Sequence, residues 1–272
     1  MCKRGRGTTI GTTSDHTIFP HPRRANGYVY EGKTYPADRH YSDRTVVIFV
    51  PKGFRPGETT DIVFYFHGWW NNVDRTLATF RIAEQLGASG VNAVLVLAEG
   101  PKDAPDSFGG RLEEEGVFSG LVADVLATLK DRGVIEKPRP GSIVLTGHSG
   151  AFRVISFILL RGGLTANVRE VYLFDALYGQ VEKFAWWVDH TRGRLVVIHT
   201  PGSGTRVQTL DFMDDLRAWG VPFAEVPESA VTAELLRKNR LIFIESALAH
   251  DDVVSAQEQL RTYLETGALG RR

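Results

Sequence analysis

The run Gly147, His148, Ser149, Gly150, Ala151 sets a serine between small residues two positions before it and two after it. An apolar stretch at 143–145 leads into the run, and a helical pattern begins at once with Phe152, so the serine falls at a strand-to-helix turn. In a turn of this kind the backbone is strained, the hydroxyl projects above the sheet, and a bulky residue two positions away would collide with the chain. Ser149 is therefore a candidate nucleophile, and the backbone N–H of Gly150 is a candidate donor to a developing oxyanion. The competing role is that of a helix N-cap, whose hydroxyl accepts a backbone N–H. A bare Gly-x-Ser-x-small run occurs by chance about 0.2 times in a chain of this length. The flanking strand and helix are what give this one its weight.

A serine hydroxyl is a weak nucleophile until a base takes its proton. Of the eight histidines, His250 follows the last predicted strand, 241–244, after a short loop, and precedes a helical segment. Its alternative role is a surface histidine capping that helix beside Asp251 and Asp252. His148 lies inside the turn, too constrained to reach its neighbour's Oγ. His16, His21 and His40 sit in or near an N-terminal tail, while His190 and His199 remain as other candidates for the base. The base needs a carboxylate to fix its tautomer and stabilise the imidazolium. Asp175 ends the predicted strand at 171–174, directly after the strand that carries Ser149, whereas the loop from His199 to Thr205 lacks a carboxylate and Asp211, Asp214 and Asp215 read as solvated helix charges. A strand-end aspartate that only caps the next segment is the alternative for Asp175. A second oxyanion donor should come from an earlier loop. The strand at 62–66 runs into His67, Gly68, Trp69, Trp70, Asn71 and Asn72, where Gly68 lets the chain bend and the N–H of Trp69 is the candidate. His67 reads as a structural residue of that loop, and the two tryptophans as core or pocket wall.

The elements that must hold these residues follow from the rest of the chain. Its 272 residues carry 32 Lys plus Arg against 32 Asp plus Glu, a net charge of zero that disfavours a nucleic-acid partner. With 43% hydrophobic and 10% aromatic residues it has the composition of a packed globular protein, and its single Cys2 excludes an intrachain disulfide framework. No apolar run approaches the roughly 18–20 residues of a membrane span, and neither Lys3, Arg4, Arg6 nor the pair Arg23, Arg24 is followed by the apolar stretch of an export signal. The expected location is cytoplasmic. Residues 1–26 read as an N-terminal tail and 27–272 as one domain. Two short antiparallel strands, at 28–35 and 45–50, are expected at a sheet edge. After them, apolar strands at 62–66, 93–98, 143–145, 171–174, 195–198 and 241–244 alternate with helical segments at 77–86, 117–129, 152–160, 181–188, 210–219 and 253–264. That alternation, with strands apolar throughout, predicts a mostly parallel sheet buried on both faces, whose chemistry lies beyond the carboxyl ends of the strands. No Gly-x-Gly-x-x-Gly or phosphate loop follows the early strands.

In the order and context of these residues, the sequence resembles the α/β-hydrolase superfamily, in particular its esterase-like and lipase-like serine hydrolases, over about residues 45–265. The His67-Gly68 loop, the elbow around Ser149, the later Asp175 and His250 after the last strand carry the resemblance. Three features depart from the family pattern: Ala151 stands where the last glycine of the elbow is usual, the acid follows a strand one earlier than in most members, and segments at 222–226 and 230–238 are inserted before the histidine strand. The resemblance implies an α/β fold of α/β-hydrolase type, with a mostly parallel central sheet, helices on both faces and a minimal cap, since only residues 176–194 separate the Asp175 strand from the next. It implies a serine hydrolase cleaving an ester in the manner of a carboxylesterase, through an acyl-enzyme on Ser149, with no cofactor or metal. An amidase or peptidase using the same triad, or a non-catalytic hydrolase-like binding protein, are the alternatives. The expected substrate is a small-molecule acyl or aromatic ester contacted by Trp70, Phe108 and Tyr178, with Phe152, Trp186 and Trp187 as further aromatic surface. The loop 99–116 is a candidate substrate wall, against the reading of Arg111, Glu113, Glu114 and Glu115 as solvated charge. The sequence leaves the oligomeric state open.

Overall fold

In each central strand, neighbouring apolar residues are divided between two cores. Ile62, Phe64 and Phe66 belong to one buried cluster, and Val63 and Tyr65 to the other; Leu195 and Val197 separate in the same way from Val196 and Ile198. An extended chain sends successive side chains to opposite faces, so a strand covered on both faces must be apolar at every position. This is why runs such as AVLVLA at 93–98 are fully buried.

The computed structural model describes residues 7–272. Its elements, in chain order, are β1 (Gly7–Thr13), β2 (Tyr28–Tyr30), β3 (Lys33–Tyr35), α1 (Ala37–His40), β4 (Thr45–Pro51), β5 (Thr60–Phe66), α2 (Val73–Phe80), α3 (Ile82–Ser89), β6 (Ala93–Ala98), α4 (Val117–Asp131), β7 (Pro140–His148), α5 (Phe152–Arg161), β8 (Val168–Phe174), α6 (Val181–His190), β9 (Arg194–His199), α7 (Thr205–Ala218), β10 (Ala224–Pro227), α8 (Ala233–Lys238), β11 (Leu241–Glu245) and α9 (Gln259–Glu265). The main sheet runs β1-β4-β6-β5-β7-β8-β9-β11-β10. β5 to β11 are parallel, and β1 and β4 join by antiparallel pairing. Phe118 and Leu121 of α4, Ile155 of α5, Trp187 of α6 and Phe212 of α7 cover one face; Phe80 of α2, Leu86 of α3, Leu236 of α8 and Leu260 of α9 cover the other. Only α6 lies between β8 and β9, so the described residues carry no cap domain there. No described helix is long and apolar enough to cross a membrane.

Three expectations change. The expected tail at 1–26 is, from residue 7 onward, part of the domain. β1 pairs with β4 from Gly7↔Pro51 to Thr13↔Thr45, and the Ile18 and Phe19 side chains are 3% and 1% exposed in the core. The β-branched run GTTIGTT suits a sheet edge, and two large apolar residues lose contact with water by covering the end of the sheet. Cys2 and the basic residues Lys3, Arg4 and Arg6 lie outside the described residues. Residues 28–35 form a separate hairpin of β2 and β3, so the edge next to β4 belongs to β1. The segment expected as one helix at 77–86 divides at Arg81, whose φ of 51° turns the chain so that both Phe80 and Ile82 are buried. The inserted segments near 222–238 become β10, which extends the sheet beyond β11, and α8, which packs on one face.

Candidate active site

Ser149 follows β7 directly, and its φ of 56° lies in the left-handed region that side-chain-bearing residues rarely occupy. The surroundings hold that conformation. A Cβ on Gly147 would lie 2.5 Å from the Cβ of Ala151 and 3.0 Å from the Phe66 carbonyl oxygen, so the two small positions of the elbow are in contact with each other. A Cβ on Gly68 would lie 2.6 Å from the Ser149 Cβ, 2.8 Å from the His148 carbonyl oxygen and 3.1 Å from the Gly150 nitrogen. The loop after β5 therefore presses its backbone onto the elbow, and the Trp69 indole lies against Gly150, where a Cβ would come 2.6 Å from its Cδ1. Close approach is a stricter requirement on Gly68 than the bend its sequence context suggests.

Asp175 directly follows β8, the neighbour of β7, and also has a positive φ, 44°. Its buried carboxylate accepts hydrogen bonds from the Thr200 N–H (3.1 Å), the Thr200 hydroxyl (2.7 Å), the Ser203 hydroxyl (2.7 Å), the Thr205 hydroxyl and the His250 ring at Nδ1 (2.6 Å). Burial by itself would raise its pKa, but the hydrogen bonds from His250, Thr205, Ser203 and Thr200 outweigh that and draw it down from 3.8 to about 2. An ionised carboxylate can only accept, so Nδ1 of His250 carries a proton and donates it to Asp175. The sequence reading of that loop, which turns on its lack of a carboxylate, does not single out the Thr200, Ser203 and Thr205 donors. Its signal was the hydroxyl-rich run HTPGSGT.

His250 sits in a turn after β11 with its side chain 34% exposed. Its ring centroid is 4.4 Å from that of His148 and 6.3 Å from that of Tyr178. His148, passed over in sequence because it cannot reach Ser149 Oγ, has its Nε2 2.8 Å from the main-chain oxygen of His250. His148, His250 and Asp251 bring three potential ligand atoms within 4.8 Å of one another. In this arrangement His250 Nδ1 is bonded to Asp175 and His148 Nε2 to the His250 carbonyl.

The other candidates divide. His67 is buried and spans the Gly68 carbonyl (2.8 Å) and the Glu99 carboxylate (2.9 Å), a brace for its loop. Trp69 fixes its indole by donating from Nε1 to Ser107 Oγ at 2.7 Å and rests edge-on against Tyr30, while Trp70, with φ 59° and 48% exposure, rests against Tyr35. Tyr178 is exposed next to Phe152. Phe108 does not join them. It is buried among the guanidinium groups of Arg23, Arg24 and Arg153, and lines a cavity of about 10 Å³ beneath Gly150, room for about one water. Trp187 is core, and Trp186 stacks on His190 at the surface. His199 is buried, and Asp211, Asp214 and Asp215 are exposed on α7. In the loop 99–116, Glu113 is not solvated: it is buried and holds Arg153 through two hydrogen bonds.

The sheet order, the helices on both faces and the elbow after β7 are those of the α/β-hydrolase fold, and the chain has that fold. No protein-family model matches the sequence, and no curated protein matches it. Among solved structures, a ferulic acid esterase is similar with a TM-score of 0.58 at 12% identity, covering 96% of this chain and 99% of that one. The Staphylococcus aureus fluorophosphonate-binding serine hydrolase FphF, substrate bound, is similar with a TM-score of 0.55 at 11% identity over 97% of this chain and 100% of its own. An S-formylglutathione hydrolase (FrmB) from Staphylococcus aureus has a TM-score of 0.50 at 10% identity over 96% of this chain and 99% of its own.

Proposed function

We propose that the protein is a serine hydrolase that cleaves the ester bond of a small acyl or aromatic ester, with Ser149 as nucleophile, His250 as general base and acid, and Asp175 as the orienting acid. The observation that carries this reading is the 2.6 Å contact between His250 Nδ1 and an ionised Asp175 at the strand end adjacent to the strained Ser149. In the first half-reaction, His250 Nε2 takes the Ser149 hydroxyl proton as Oγ bonds to the ester carbonyl carbon. The same proton then passes to the leaving alkoxide, and the carbon–oxygen bond to the alcohol breaks. In the second half, a water gives its proton to His250 and its oxygen to the acyl carbon, and Ser149 leaves with the proton returned. The N–H groups of Gly150 and Trp69 are the oxyanion donors of this scheme, supported by the close approach of Gly68 to the elbow. Negative charge on Asp175 favours the imidazolium formed in each half.

The names of the structural neighbours, esterase and serine hydrolase, agree with this chemistry. Trp69 and Trp70 follow β5 and Tyr178 follows β8, so exposed aromatic rings flank the β7 elbow from both sides. Apolar contact with an acyl or aryl group is the natural use of such surfaces. A fluorophosphonate probe tests the reading. Wild-type protein should be labelled and Ser149→Ala should not, and hydrolysis of p-nitrophenyl esters should exceed that of aminoacyl amides. An unlabelled wild-type protein, under conditions that label a control esterase, would refute the catalytic role of Ser149.

A further inference from the structure

The base proposed above is carried by a stretch with little regular structure. Between β11 and α9 the chain makes turns and a single 3-10 turn at Asp252–Val254, and its internal hydrogen bonds near His250 are few, such as Asp252 N–H to the Ala249 carbonyl and Leu248 N–H to Ser246 Oγ. The His250–Asp175 bond fixes the ring at one nitrogen, but rotation about that contact and movement of the main chain would still carry Nε2 away from the elbow. A second anchor is present. His148 is 3% exposed, it belongs to the end of β7 and its peptide leads directly into Ser149, and its ring packs edge-on against Phe80. Its Nε2 lies 2.8 Å from the His250 main-chain oxygen, which can only accept, so Nε2–H is the donor. Burial first, and then the neighbouring His250, lowers the His148 pKa to about 4, so at neutral pH the ring adds no positive charge beside a forming imidazolium.

We propose that His148 is a positioning residue: it ties the main chain of His250 to the nucleophile's own turn, and so sets the place of the base relative to Ser149. This rests on the serine hydrolase reading only for its kinetic consequence; the tie itself is testable without turnover. His148→Phe keeps a ring and removes the donor, whereas His148→Gln keeps an N–H able to reach the carbonyl. In His148→Phe, kcat for an ester substrate should fall about 10- to 100-fold with KM little changed, the cost expected of a small misplacement of a catalytic group. His148→Gln should recover most of that loss. By proton NMR, the downfield signal of His250 Nδ1–H shared with Asp175 should persist in the Gln variant and broaden or vanish in the Phe variant. If His148→Phe does not fold, His148→Asn, too short to reach the carbonyl, takes its place and should behave as the Phe variant was expected to. Wild-type kcat together with an unchanged downfield signal in the Phe or Asn variant would overturn the tie. Failure of the wild type to react with fluorophosphonate, with the His250 signal still responding to residue 148, would instead remove the hydrolase reading and leave the tie in place.

Discussion

At the scale of single residues, the site depends on one carboxylate that stays charged although buried. Five donors surround Asp175, and their combined effect exceeds the cost of burial. Ser149→Ala should leave the fold intact and lower kcat by about 10³- to 10⁶-fold, measured on a p-nitrophenyl ester. Asp175→Asn should lower it by about 10²- to 10⁴-fold, because an amide no longer demands the proton on Nδ1; Asp214→Asn, on the exposed face of α7, should have almost no effect. Asp175 also links stability to pH. Its pKa in the folded protein is depressed from 3.8 to about 2, so the stability it contributes is present above about pH 4 and is lost as pH falls through 2. Denaturant midpoints measured across that window should fall less steeply for Asp175→Asn than for the wild type.

At the scale of elements, the loop after β5 and the elbow after β7 are built to touch. Gly68→Ala would set a methyl against the Ser149 Cβ and the His148 carbonyl oxygen, and main-chain atoms cannot swing aside as a long side chain can. The loop must retreat from the elbow, taking the Trp69 N–H with it. Fluorophosphonate labelling of Gly68→Ala should slow by about 10- to 100-fold while the melting temperature changes far less in proportion. The N-terminal elements act differently, through burial. Removal of residues 1–20 would uncover β4 along its length and withdraw Ile18 and Phe19 from the core. At about 1.5–3 kcal/mol for each large apolar side chain, the melting temperature should drop by about 10 °C. An unchanged melting curve would show that this segment contributes nothing to the core.

At the scale of the molecule, the two ends of the parallel strands are specialised. The carboxyl ends carry Ser149, Asp175 and His250. The opposite ends of β8 and β9 carry a buried ion pair, Glu170 with Arg194, at 2.6 Å. The Arg194 guanidinium also donates to the Tyr172 hydroxyl at 2.8 Å and to the carbonyls of Tyr263 and Leu236 at 2.6 Å and 3.1 Å, which fastens α8 and α9 to the sheet. Glu170→Gln would leave that guanidinium without its counter-charge and should cost about 3–5 kcal/mol in denaturant unfolding. Because the pair lies at the far end of the strands from the elbow, kcat of the protein that remains folded should be preserved.

Strand order apart, much of this architecture could be read from the chain, because its signals are local. Six apolar strands, the helices between them and the turn at Ser149 each occupy a few consecutive residues, and Asp175 and His250 are recognisable as strand-end positions. Other features depend on residues distant in sequence becoming neighbours. Phe108 looked like exposed pocket surface until Arg23 and Arg24, folded back with the N-terminal segment, and Arg153 from α5 covered its ring. The Thr200, Ser203 and Thr205 hydroxyls became donors only when β9 aligned beside β8. His148 met the His250 carbonyl across 102 positions of chain. Periodicity and turn chemistry act between near neighbours and leave their pattern in the sequence; burial, charge neutralisation and hydrogen bonding between distant segments exist only once the sheet has brought those segments together.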